Sequence, residues 1–336
     1  MTRKATDNPP VQIRIAFSLA VLLAVPGLAH AQIQAATFNP GIYYRLPNLV
    51  NPAGRLARLD DPLFPNVLSV MPPFGWDRCG DQVVVPAPDQ GLAIVSAAGV
   101  RRVVPITGIY RYGRPSFSPD CRRVAVQASA TPGIENGAED LNIYVVDVDT
   151  AAIIRVGDLS SNEESPRFFP VGSRLAYSSF SQNDGVNLHV WDFDQNREVL
   201  LTRDIGALQI GISPSGDRII DPRTMKIYDA TTGTVVMNLL SDLLATLPGT
   251  GFSLDERFKD VPGQPNRGLY PLDASYSPDG TEVVLDWALR QGDRYGNVLL
   301  RLSIDARQLR VISDLIPQNP DLSNRNNFSQ LNPVWK

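Results

Sequence analysis

Acid–base, nucleophilic or metal chemistry needs side chains of the right type at the right spacing, and this 336-residue chain supplies few of them. It has two histidines, His30 and His189. His30 falls in an N-terminal leader, so a His-rich metal site cannot be built in one mature chain, and any Ser-His-Asp relay must use His189. That residue sits in Leu188-His-Val-Trp-Asp, a segment with four counterparts elsewhere in the chain. The equivalent positions hold Ala93, Tyr144, Lys226 and Leu300. Such variation among copies is what a packing or surface position on a strand looks like. The strained Gly-x-Ser-x-Gly turn of α/β-hydrolases is absent. Glu135, Glu139 and Asp140 cluster in one loop, with Asp147 and Asp149 shortly after. These are calcium-type oxygen ligands, yet no EF-hand spacing connects them, and solvated acidic loops carry the same composition. Leu247-Pro-Gly-Thr-Gly-Phe lacks the Lys-Ser/Thr of a phosphate loop and reads as a plain loop. No catalytic residue, metal ligand or cofactor is expected on these grounds.

The elements around these residues repeat. Phe117-Ser-Pro-Asp-Cys-Arg-Arg-Val-Ala-Val, Phe168-Phe-Pro-Val-Gly-Ser-Arg-Leu-Ala-Tyr, Ile212-Ser-Pro-Ser-Gly-Asp-Arg-Ile-Ile and Tyr276-Ser-Pro-Asp-Gly-Thr-Glu-Val-Val-Leu share one plan. A bulky residue is followed by a tight polar turn and a β-rich run. Trp76-Asp-Arg-Cys-Gly-Asp-Gln-Val-Val-Val reads as an earlier copy, and Asn332-Pro-Val-Trp335 as the start of another. Pro suits the second position of such turns and Gly the position of positive φ. Each copy parses into four strands. Strand A ends in the bulky residue, and strand B follows the turn. Strand C is the regular run typified by Ile143-Tyr-Val-Val-Asp, and strand D comes after a second polar turn.

The bulky anchors at 76, 117, 168, 212, 276 and 335 are 41 to 64 residues apart. A four-stranded propeller blade takes roughly 40–50 residues, so the longer steps contain insertions, the largest being Leu240–Asp273. Ser129–Leu141, Trp287–Asn297 and Ser313–Leu331 are three more. The fold expected is all-β, a six-bladed β-propeller of four-stranded blades. Its last blade would be closed by both chain ends, with Asn332–Trp335 as strand A, Ile33–Phe38 as strand B, Ile42–Leu46 as strand C and Arg55–Leu59 as strand D. Closure of this kind removes open sheet edges. Five blades with a loose N-terminal arm is the competing arrangement.

Residues 1–31 have the form of a cleaved secretory signal peptide. Arg3, Lys4 and Arg14 precede a short apolar run at Ala16–Val25, and Ala29-His30-Ala31 is a small-x-small cleavage signal. The run is too short to span a bilayer, and Pro26-Gly27 breaks it. Residues 32–336 then form a single domain with 28 basic and 34 acidic residues, a formal charge of −6. This balance, without any Lys/Arg-rich run, excludes a nucleic-acid partner. Export implies oxidising surroundings, where Cys79 and Cys121 either pair or remain two buried thiols. They lie in the turns after strand A of consecutive copies, one residue out of register.

Phe117–Asp120, Tyr276–Gly280 and the paired strand-C runs resemble the WD40-like repeats of TolB-type propellers over residues 73–312. TolB's separate N-terminal α/β domain has no counterpart, because strand-like sequence follows the leader almost at once. The resemblance implies a periplasmic protein that contacts envelope proteins, since that family's propeller engages a peptidoglycan-associated lipoprotein. Propeller peptidases that share this repeat append a hydrolase domain with a serine elbow, and a related lyase family uses several metal-binding histidines; with no such elbow and only His189 after the leader, neither pattern is expected here.

Repeat alignment places Arg114, Ser165, Gln209, Asp273 and Asn332 at the start of strand A, at one mouth of the central channel. One base, one acid and amides suit recognition of a peptide or small polar ligand; a plain water-filled channel is the alternative. The function expected is therefore a non-enzymatic, monomeric, periplasmic protein-binding platform that does not span the membrane. Its expected partner is an envelope protein or peptide. The other reading is a metal-dependent propeller hydrolase or lyase acting at the channel. The apolar residues of the insertions, Leu243, Leu244, Leu247, Phe252, Phe258 and Phe328, need covering by the ring or by a partner.

Overall fold

The structure, a computed structural model, describes residues 38–47, 54–61, 75–87, 90–99, 101–110, 112–131, 141–157, 161–181, 185–205, 209–254, 270–317, 331 and 333–336. Residues 1–31, expected to be a signal peptide, and the acidic loop carrying Glu135, Glu139 and Asp140 lie outside the described residues.

The fold is a six-bladed β-propeller of four-stranded antiparallel blades, the sixth of which shows three strands among the described residues. Blade 1 runs through Asp77–Cys79, Gln82–Ala87, Gly91–Ser96 and Arg101–Val104, as strands A to D from the channel outward. Blade 2 is Ser116–Phe117, Arg123–Ser129, Leu141–Asp147 and Ile153–Val156. Blade 3 is Asn162–Phe168, Arg174–Ser181, Gly185–Asp192 and Arg197–Thr202. Blade 4 is Gly211–Ile212, Arg218–Asp221, Lys226–Asp229 and Val235–Asn238. Blade 5 is Asp273–Tyr276, Glu282–Gln291, Arg294–Ser303 and Gln308–Val311.

Both chain ends build blade 6, but one strand out of step with the sequence reading. Ile42–Pro47 pairs directly with the C-terminal strand Val334–Trp335, with Ile42 opposite Trp335 and Tyr43 opposite Val334. It therefore takes the strand-B position, which the sequence reading had given to Ile33–Phe38. Gly54–Arg58 then takes position C. Phe38 is no ladder residue; it is buried against Tyr43, ring edge to ring face, at 5.6 Å.

Six apolar clusters fill the six seams between blades, and period-2 alternation along strand B explains why. In blade 2, Val124 and Val126 pack toward blade 1 with Val84, Leu92 and Ile94. Ala125 faces the other way, joining Leu175 and Tyr177 of blade 3. The last two seams prove closure. Ile42 and Ala57 pack on Val284 and Leu299 of blade 5, while Tyr43 and Leu56 pack on Val83 and Val85 of blade 1.

The A–B turns show why Ser-Pro-Asp-Gly recurs. Ser118, Ser213 and Ser277 each accept the amide of the first strand-B residue, at 2.9 to 3.0 Å. Gly216 and Gly280 occupy positive φ (71° and 74°), and Cys121 takes the same position in blade 2 at 59°. Cys121 is disulfide-bonded to Cys79, with Cα atoms 5.7 Å apart, so the bridge staples the turns of blades 1 and 2. Blade 1 departs from the plan. Strand register puts Arg78, opposite Val83, where the other copies hold the bulky anchor. Trp76 lies just before the strand and is buried in the seam with blade 6. Arg78 substitutes for an aromatic by lying over the rings of Phe38 and Tyr43 while donating to the Phe38 carbonyl at 2.8 Å.

The long insertion is largely structural where it is described. Leu240–Thr246 forms an α-helix continued by a 3₁₀ turn, Leu247–Thr250, the helical content that the repeat pattern does not announce. A seven-residue helix is too short to be stable alone. Leu243, Leu247 and Phe252 hold it by burial with Met225, Trp287 and Leu289 of blades 4 and 5. The ring thus covers these three, and Leu244 stays partly exposed. Phe258 and Phe328 lie outside the described residues. The insertion expected at Trp287–Asn297 is instead a ladder extension, in which strands B and C of blade 5 continue to a turn at Gly292 and Asp293.

Candidate functional site

The channel wall is set by the residue immediately before each anchor. Around the ring these are Asp77, Ser116, Arg167, Gly211, Ser275 and Val334, and all six line one central cavity of about 480 Å³. In three blades the side chain is spent on the scaffold. Asp77 Oδ2 accepts the Phe117 amide at 2.7 Å, Ser116 Oγ accepts the Phe168 amide at 3.1 Å, and Ser275 Oγ accepts the Trp335 amide at 3.1 Å. Each bond ties one blade's inner strand to the next. Arg167 cannot join this relay, because a guanidinium has no acceptor. Gly211 has no side chain, and a Cβ there would come within 2.8 Å of the Ala274 carbonyl oxygen of blade 5. The rim of the cavity carries the turn prolines Pro119, Pro170, Pro214 and Pro278.

The residues expected at the channel mouth separate into two groups. Arg114 borders the cavity and reaches across the ring, paired with Asp273 of blade 5 and donating to Gln209 Oε1 of blade 4 at 3.0 Å. Both members of the ion pair are buried. Gly75 makes room for this arginine, since a Cβ there would sit 2.7 Å from Arg114 Cγ. Ser165 is at a strand bulge with φ of 54°, and its amide donates to Gln127 Oε1 at 3.3 Å. Asn332 lies outside the described residues. The three-residue network is therefore a buried brace joining blades 2, 4 and 5.

Asp286 lies directly behind Asp273 in the strand register. It is wholly buried, accepting Asn297 Nδ2 at 2.6 Å and the Leu331 amide at 2.7 Å. Burial pushes its carboxyl up to about 7, against the lowering by those two hydrogen bonds; the Asp273 charge adds to the rise. Arg45 of blade 6 is buried beside it, its pKa lowered by burial and partly restored by Asp286. This cluster fastens the closing blade.

Arg167 has the most unusual surroundings in the channel. Burial lowers its pKa to about 10, with Arg114 lowering it further and Asp273 and Asp77 opposing. No hydrogen bond or ion pair holds its guanidinium among the described residues. Sequence reasoning missed this residue because repeat alignment had marked a position two residues earlier, Ser165. The usable signal was a lone Arg where sister copies carry small or acidic residues.

His189 does sit in a relay, on the blade 3 sheet. Ser179 Oγ is 2.8 Å from His189 Nε2, and His189 Nδ1 is paired with Glu198. Ser179 is 5% exposed, however, and the Tyr177 ring stacks on the imidazole at 5.5 Å. A nucleophile needs room for an acyl group and oxyanion donors; this serine is packed into a blade seam. The array reads as cross-strand hydrogen bonding. Asp147, one of the cation-type acids of the sequence, caps its own turn by accepting the amides of Asp149 and Thr150 at 3.0 and 2.8 Å. Among the described residues no group of three or more His, Cys, Asp or Glu side chains is placed to hold a metal ion.

These features define a closed six-bladed propeller with a binding-sized channel lined by one residue from each blade. No protein-family model and no curated protein matches the sequence. Among solved structures, TolB from Acinetobacter baumannii matches with a TM-score of 0.56 at 22% identity, covering 89% of this chain and 67% of that one. A chain of a nidogen–laminin complex gives 0.56 at 9% identity, covering 88% and 98%. A putative TolB from Agrobacterium tumefaciens gives 0.52 at 16% identity, covering 83% and 90%. The fold is accordingly that of a TolB-like propeller. No helix among the described residues is long and apolar enough to cross a membrane.

Proposed function

We propose that this chain is a non-enzymatic interaction propeller of the periplasm, exported by residues 1–31, that engages an envelope protein or peptide at the turn face of its channel. The observation that carries the reading is the cavity itself. Its volume lies within the 300–1,000 Å³ usual for ligand sites, proline-containing turns of four blades rim it, and charged residues from different blades line it. The TolB-like fold supports the assignment to the envelope.

The test is photocrosslinking in intact cells. A photoreactive residue replaces Ser215 at the A–B turn of blade 4 or, as control, Val236 on the outermost strand of the same blade. The reading requires a reproducible envelope-protein adduct from position 215 that position 236 does not give. Equal capture from both positions, or none from either, would refute it.

A further inference from the structure

We propose that Arg167 is a carboxylate-binding residue: the channel admits a ligand that presents one carboxylate, from a chain terminus or an acidic side chain, to its guanidinium. The inference rests on the binding role argued above and names the chemistry of the ligand. Its first support is the broken repeat. At the same position, Asp77, Ser116 and Ser275 spend their polar atoms on the next blade's anchor amide, whereas Arg167 has five donors and no such task. Its second support is space: the cavity of about 480 Å³ that Arg167 lines is of the size that takes small ligands.

The third support is charge. Arg114, whose charge acts on Arg167, is already neutralised by Asp273. Asp77, which lines the same cavity, accepts the Phe117 amide and attracts Arg167 without bonding it. A guanidinium with no partner among the described residues, inside a partly desolvated channel, is costly, and a carboxylate would relieve that cost through two parallel N–H···O bonds. Asp77 also argues for a monoanion, because a phosphate dianion would be repelled more strongly at the same place. Phe117, Phe168, Tyr276 and Trp335 also line the cavity and add apolar surface to it.

Isothermal titration of the propeller tests this with defined probes: acetyl-Gly-Gly-Phe as the free acid, the same peptide as its amide, acetyl-Gly-Glu-Phe amide, succinate and inorganic phosphate. The proposal requires that at least one carboxylate probe binds, and that Arg167→Gln weakens it at least tenfold. The peptide amide lacking a carboxylate must bind at least tenfold more weakly than its free acid. Arg167→Lys, which keeps the charge without the fork, should fall between. A terminal-acid preference, a Glu preference or binding of succinate alone then identifies the source of the carboxylate. Because Arg167 holds no scaffold bond among the described residues, neither variant should lower the melting temperature, which excludes misfolding as the cause. Equal binding of acid and amide, indifference to Arg167→Gln, a preference for phosphate, or no binding of any carboxylate probe at millimolar concentration would overturn the proposal. Repeating the crosslinking from position 215 in the Arg167→Gln background separates the two readings. Unchanged capture there leaves the interaction role standing without the carboxylate site, whereas absence of capture in the parent protein removes the role itself.

Discussion

Removing the Cys79–Cys121 bridge should lower stability by an amount set mainly by the loop it closes. The cysteines are 42 residues apart in sequence. The chain-entropy relation for a loop of that size gives about 13 cal/mol/K, or about 4 kcal/mol at 25 °C. For roughly 300 folded residues, at about 2.1 cal/mol/K of unfolding entropy each, this corresponds to a drop of about 6 °C in melting temperature. The replacement at 121 matters independently. Cys121 has φ of 59° in the turn where Gly216 and Gly280 stand in sister blades. Alanine there is strained and glycine is not, so Cys79→Ala with Cys121→Gly should be about 1 kcal/mol more stable than Cys79→Ala with Cys121→Ala. Differential scanning calorimetry of the oxidised parent, the dithiothreitol-reduced parent and both double variants measures all of this. A drop of less than about 1 °C on reduction would refute the stapling argument. A less stable glycine variant would refute the account of the turn.

Three further outcomes follow from buried groups. Asp273→Asn strands the buried Arg114 charge and should cost about 3–5 kcal/mol in urea unfolding, whereas Arg114→Met with Asp273→Leu should recover much of that loss. Asp286 has its folded pKa raised to about 7 from 3.8, so the folded state binds more protons than the unfolded state between those values. Its contribution to stability is therefore present at low pH and lost as pH rises through about 7. Unfolding free energies measured from pH 5 to 8 should fall more steeply in the parent than in Asp286→Asn; parallel profiles would contradict the assignment. Leu243→Ala, at the buried face of the insertion helix, should cost about 2–4 kcal/mol and speed proteolysis of the insertion, and an unchanged cleavage rate would show that the helix is not held by that contact.

Strands and turns were legible because their causes are local. Pro119, Pro214 and Pro278 preset a turn, the serine before each caps it, and alternating apolar residues then choose a strand. The composite last blade was also legible, through the surplus strands at the N-terminus and the lone strand at Asn332–Trp335. Its internal order was not. Whether Ile42–Pro47 lies second or third depends on which backbone edge meets Val334, almost 300 residues away, and no local signal encodes that choice. Trp76 misled for a related reason: being bulky, it resembles an anchor, but ladder register gives the anchor place to Arg78.

By itself the sequence determined a repeated four-stranded unit and the turn chemistry between inner strands, and it pointed to six blades closed by the two ends with five as the alternative. All of these follow from short-range conformational preference and periodic burial. The tertiary structure alone decided which side chains share the channel. Arg114, Gln209 and Asp273 become neighbours across 159 residues because inner strands converge at the ring's centre. Among the described residues Arg167 makes no hydrogen bond or ion pair, at a place in the ring where three sister blades carry hydrogen-bond acceptors. Ring closure brings distant positions within reach of one another, and such proximity is a property of the closed circle that no single repeat contains.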